Sequence, residues 1–142
     1  MPAKRCDHCG QVSELGNCDL ELPFKMPTLN EFFSSGHWAT RQKMKSKLET
    51  SVKLCLLASK MQPIRAPIEI IYEAAFKGRR FDATNLAAGL KMTEDAMRDM
   101  GILENDSPIQ IPRVSLIPTK GEEDRSRLWL VPQPHVLPGL LR

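Results

Sequence analysis

Between residues 39 and 61 the apolar positions Met44, Leu48, Val52, Cys55 and Leu56 recur at intervals of three and four, the spacing that lines one face of a helix. Lys43, Lys45 and Lys47 fall on other faces. Pro63 and Pro67 close this helix, and the period then changes. Ile68, Ile70, Tyr72, Ala74 and Phe76 alternate with their neighbours and so share one side of a strand that breaks at Lys77 and Gly78. A second helical pattern runs through Leu86, Leu90, Thr93, Met97 and Met100. It stops at Gly101, the residue type best able to take the left-handed conformation that ends a helix. Lys91, Asp95 and Arg98 occupy a different face of that helix.

Residues 20–24 read as a short strand ended by proline, followed by a loop through Asn30 and Gly36. Downstream, Ile109, Ile111, Val114 and Leu116 lead to a turn at residues 120–123 and a return strand over 127–131. The predicted order is β-α-β-α-β-β, an α/β (α+β) fold with a small mixed sheet and two main helices. Residues 20–131 form this domain. Residues 1–19 read as a cysteine-containing arm, and residues 132–142, with three prolines, as an extended tail.

Composition narrows the class. At 142 residues, 42% hydrophobic and 26% charged, the chain reads as an ordinary globular domain with an adequate core, not a disordered, collagenous or coiled-coil chain. No apolar run approaches a membrane span, and the start, from Met1 to Asp7, lacks the apolar stretch of a signal peptide. A cytoplasmic location is expected, where four cysteines serve as metal ligands or buried thiols rather than disulfides.

Charge changes the picture more. The formal net charge is +3, but between Trp38 and Arg65 seven basic residues face one acid, Glu49, whereas between Asp82 and Asp106 six acids face Lys91 and Arg98. A basic surround attracts a polyanion, and a compact acidic patch inside it repels that polyanion unless its carboxylates hold divalent cations. The pairing points to a metal-dependent phosphodiesterase, against the simpler reading of solvated helix faces.

The candidate chemistry lies between Gly78 and Asp106. Arg79, Arg80, Asp82 and Asn85 follow the strand, Lys91 and Asp95 share a helix face at i and i+4, and Asp106 lies beyond Gly101. Hydrolysing a phosphodiester requires an activated water, a stabilised leaving oxygen and neutralised phosphate charge, all of which carboxylate-held Mg²⁺ or Mn²⁺ can supply. Asp82 and Asp106 suit the metal, Asn85 a water or ligand, and Lys91 the phosphate. Taken singly, these residues also read as caps, turn formers and a surface ion pair.

In this order the motif resembles the RusA-type Holliday-junction resolvases. That family carries an arginine-rich strand end, then Asp-x-Asp-Asn, a helical Lys with a following Asp, and a Gly-apolar-apolar-x-x-Asp segment. Residues 20–24, with Pro27 and Asn30, resemble the family's opening strand and loop, so the likeness covers about residues 20–131. It implies an α/β homodimer, bacterial or phage-encoded, that binds four-way DNA junctions and nicks two opposing strands with Mg²⁺ or Mn²⁺. Two symmetric nicks require two active sites, which a twofold dimer supplies.

Position by position, the resemblance implies catalytic roles for Asp82, Asn85, Lys91, Asp95 and Asp106, with Asp82, Asp95 and Asp106 as metal ligands. Arg41, Lys43, Lys45, Lys47, Arg79 and Arg80 are the expected DNA contacts. Neither a membrane nor a small-molecule substrate is expected. The sequence departs from the family at Thr84, where the second aspartate usually stands, and at Phe81, where an arginine often precedes the first. A threonine contributes no charge to a metal site, so Asp95 or Asp106 must carry more of it, or the chain is a non-catalytic junction-binding protein.

Two further features lie outside the motif. Cys6 and Cys9 form a knuckle-like pair that Cys18 and His37 would complete as a structural Zn²⁺ site, the alternative being reduced thiols on the arm. A zinc-knuckle adaptor is the third functional reading. Phe32, Phe33, His37 and Trp38 lie in the loop that faces DNA in the resembled family, where an aromatic can stack on an unpaired base or pack in the core. Cys55 is expected in the core, and Trp129 in the core or a dimer interface.

Overall fold

The structure, a computed structural model, describes residues 4–5, 12–13, 18–34, 36–64, 67–104 and 110–132. A small antiparallel pair, β1 (Lys4–Arg5) and β2 (Val12–Ser13), precedes the main domain. That domain runs β3 (Cys18–Leu22), α1 (Leu29–Ser34), α2 (Trp38–Ser59), β4 (Ile68–Lys77), a 3-10 turn (Ala83–Leu86), α3 (Ala87–Asp99), β5 (Arg113–Gly121) and β6 (Arg125–Pro132). It is a mixed α+β fold, a four-stranded sheet with three α-helices. The predicted order of strands and helices holds once α1 and α2 are taken as one helical segment.

Alternation over β4 does what its period requires. Ile68, Ile70, Tyr72, Ala74 and Phe76 are all buried, and with Leu20, Leu22, Leu128 and Leu130 they form the face on which the helices pack. From α2 come Val52 and Leu56, and from α3 Leu90, Met92, Ala96 and Met97. Gly89 is needed where α3 meets β4, because a Cβ there would lie 2.6 Å from the Tyr72 hydroxyl and 2.9 Å from Met26 Cβ. Gly101, at φ +75, ends α3 as its position predicts. Among the described residues no helix is long and apolar enough to cross a membrane.

The strand order is β3-β6-β4-β5, which the order along the chain does not specify. The return strand β6 does not pair with β5. It lies antiparallel between β3 and β4, while β5 runs parallel to β4 on the other side. A parallel pair needs a crossover, and α3 provides it. The short β5–β6 connection therefore straddles the end of β4, where the Lys77 N–H donates to Asp124 Oδ1 at 2.9 Å and the Gly78 N–H to the Gly121 carbonyl at 3.3 Å.

Other boundaries move for local reasons. β3 begins two residues before the predicted strand and ends before Pro23, which has no N–H to pair. The predicted loop through Asn30 contains α1, capped where the Glu31 N–H donates to Thr28 Oγ1 at 3.2 Å. Ile109 and Arg65 lie outside the described residues.

Candidate functional site

The strand-to-helix passage after β4 carries most of the candidate residues. Gly78, at φ +70, turns the chain away from the sheet. Arg79 and Arg80 are exposed beyond it. The Phe81 ring meets the buried Phe76 ring edge to face at 4.6 Å, and the Arg79 guanidinium stacks on Phe81 at 4.5 Å. Phe81, the residue standing where the resembled family often has arginine, thus fastens the loop to the core and orders its neighbours. Asp82 is exposed at the entrance to the 3-10 turn, and its carbonyl accepts from the Asn85 N–H at 3.0 Å. Its carboxylate makes no capping bond there. Asn85 is half-buried and Thr84 exposed.

One helix farther on, Lys91 and Asp95 form the ion pair expected from their i, i+4 spacing, at 3.0 Å. Asp95 is also met by Lys45 of α2 at 3.5 Å and by Arg98 at 3.5 Å. With three cations already sharing this carboxylate, a metal ion would compete with them for its oxygens. Its geometry instead fixes the Lys91 ammonium near the α2–α3 seam. Beneath it, Arg98 bonds Glu94 at 3.2 Å, and burial pushes the Glu94 carboxyl above its ordinary range even though Arg98 and Lys91 oppose the shift. Burial likewise raises Glu49, which Lys45 offsets from 3.8 Å.

The α2 cations therefore divide. Lys43 and Lys47 are exposed, whereas half-buried Lys45 bridges two helices, and Arg41 is half-buried at the outer end. Asp106 lies outside the described residues, as do Cys6 and Cys9. Cys18 lies on β3 opposite Leu130. His37 caps α2, its Nδ1 accepting from the Ala39 N–H at 3.2 Å, so this nitrogen is committed to the helix terminus. Cys55 is half-buried against the core, and burial raises its thiol pKa. Trp129 is half-buried, with Arg127 over its ring at 4.9 Å.

Two clefts border this passage, and the residues that shape them were not legible as a set. A cleft of about 870 Å³ at the end of β4 is lined by Lys25, Thr28, Phe33, Lys77, Arg79 and Phe81 among others. A second, of about 350 Å³, lies between the three helices, with Phe32, Phe33, Ala88 and Met92 as apolar wall and Lys45 and Lys91 as cations. Lys25 and Lys77 carry no motif. Thr28 and Glu31 did offer a signal, since Thr-x-x-Glu before an apolar pair is the capping pattern that builds α1.

As for metal, the described residues contain no convergent group of three or more His, Cys, Asp or Glu side chains. Asp82 suits a hard cation by chemistry and exposure, whereas the Asp95 carboxylate is shared among Lys45, Lys91 and Arg98. No protein-family model and no curated protein matches this chain.

Proposed function

We propose that this chain is a divalent-cation-dependent endodeoxyribonuclease that nicks opposing strands of four-way DNA junctions as a homodimer, in recombination and repair. The observation that carries the reading is continuity. The arginine-rich strand end, Asp82 and Asn85 lead through one turn directly into the helix presenting Lys91, so the motif follows one continuous stretch of backbone, with Arg79 lining the cleft at the end of β4 and Lys91 and Asp95 lining the cleft between the helices. Exposed Lys43, Lys47, Arg79 and Arg80 supply phosphate contacts around them.

Asp82 and Asp106 would hold the cation, which when bound supplies Lewis-acid polarisation of the phosphate and a hydroxide at neutral pH. Lys91 would neutralise charge that develops on the phosphate. Asp95 keeps Lys91 oriented through the 3.0 Å pair, so in this reading it positions the lysine rather than binding metal. Asn85 orients the attacking water. Thr84 lowers the charge of the metal site, so cation affinity is weaker than with an aspartate there.

The test is cleavage of a synthetic four-way junction beside a linear duplex of the same arms, with Mg²⁺, Mn²⁺ or chelator. Paired symmetric nicks are expected, vanishing with chelator and falling by more than about a hundredfold in Asp106→Asn. Tight junction binding without nicks, with cleavage gained in Thr84→Asp, would instead establish a binding protein that has lost its chemistry.

A further inference from the structure

The proposed function leaves unexplained how a branched DNA would be told from a continuous duplex. Phe33 is 62% exposed on α1, a single residue of the kind common on protein surfaces. Its placement is less common, because it lines both clefts described above. Its support is firm as well. Phe32 packs against the core and meets the Phe33 ring edge to face, centroids 5.6 Å apart.

Both clefts hold cations, the one between the helices set in a mainly apolar wall. Toward the end of β4 stand Lys25, Lys77 and Arg79, against Glu31, held by Lys25 at 2.9 Å, and Asp124, which accepts from the Lys77 backbone. Toward α2 and α3 stand Lys45 and Lys91, against Asp95, which both contact. The first cleft thus carries one more cation than carboxylate, and in the second, where Lys45 is also drawn to Glu49 at 3.8 Å, the exposed Lys91 is the cation that faces a phosphate. Two phosphate backbones drawn into them would run on opposite sides of an aromatic ridge, which suits strands that diverge and not the stacked interior of a duplex.

We propose that Phe33 is a wedge for branched DNA, its ring taking the place of a stacking partner for the base at the branch point while the two clefts take the diverging strands. The inference rests on the junction-nuclease reading and adds to it the residue that sets branch specificity. A base stacked on an aromatic ring binds more tightly whatever its identity, so the contact selects structure and not sequence.

The experiment places 2-aminopurine at the branch point of a four-way junction, and in a linear duplex, and follows fluorescence and affinity in chelator with the full chain. Wild-type protein should raise the fluorescence of the junction probe and leave the duplex probe unchanged. Phe33→Ala should abolish that rise and lose roughly tenfold in junction affinity, with duplex affinity unchanged. Phe33→Tyr, which keeps a ring, should retain both. A rise that survives Phe33→Ala, or an equal loss on junction and duplex, overturns the wedge. Junction preference without any rise overturns the wedge alone, whereas no preference in the wild type overturns the junction reading along with it.

Discussion

The two long helices are built on opposite plans. In α3 seven of thirteen residues are buried, and its interior face meets β4 closely enough to require Gly89. In α2 only Val52 and Leu56 of twenty-two residues are buried, while Leu54 and Leu57 are each 63% exposed. The helix carrying Lys91 and Asp95 is therefore fixed by the core, and the helix carrying most of the lysines is fixed chiefly along its second half. Under the proposed function, chemistry that needs a set geometry would fall on the first, and charge that only needs to reach a backbone on the second.

The sharpest way to break this comparison is truncation. Met97→Ala, at a fully buried position of α3, should lower unfolding free energy by about 2–5 kcal/mol. Leu54→Ala, on the exposed face of α2, should stay within about 0.5 kcal/mol of the wild type. Urea denaturation of both reads the difference, and equal losses would mean that the outer face of α2 is covered in solution.

A second test concerns the contact between α3 and β4. Burial pushes the Tyr72 phenol up to about 12, an effect its hydrogen bond to Ser126 reduces but does not cancel. The neutral phenol is favoured by folding, so the associated stability is complete below pH 10 and is lost as pH rises toward 12. The loss amounts to about 2–3 kcal/mol for a shift from the ordinary value of 10.0 to about 12. Denaturation midpoints measured from pH 9 to 12 should fall steeply in the wild type and more gently in Tyr72→Phe, which has no phenol to ionise.

What the sequence disclosed follows the same division. The β4 and α3 patterns were legible because burial enforces their periods, and every alternate residue from Ile68 to Phe76 is buried as its spacing required. The pairing of β6 was not legible. A turn of a few residues signals a hairpin, and nothing local tells that β4 fills the gap between β5 and β6. The six residues of α1 are too few to display a period, so the ridge bearing Phe33 read as loop. Of the site, the Lys91–Asp95 pair was legible from i, i+4 spacing, but the reach of Lys45 to Asp95 depends on how two helices cross. That contact is long-range and leaves no trace in either helix's pattern.

Lys45 gives the smallest and most discriminating effect. Composition groups it with Lys43 and Lys47 as one basic stripe, whereas the structure ties it to Asp95 and Glu49 and leaves the other two exposed. Lys45→Gln should cost up to about 1 kcal/mol of stability, since its side chain is only 33% exposed but both ion pairs remain partly solvated. Lys43→Gln and Lys47→Gln should cost almost nothing in stability. DNA binding should order them the other way. Each exposed lysine that contacts a phosphate contributes about one unit to the slope of log affinity against log salt, so Lys43→Gln and Lys47→Gln should each flatten that slope by about one. Lys45→Gln should flatten it less, because its charge is already spent on two carboxylates. Equal changes for all three would mean that Lys45 leaves Asp95 when DNA binds, freeing that carboxylate for the role its motif position implies.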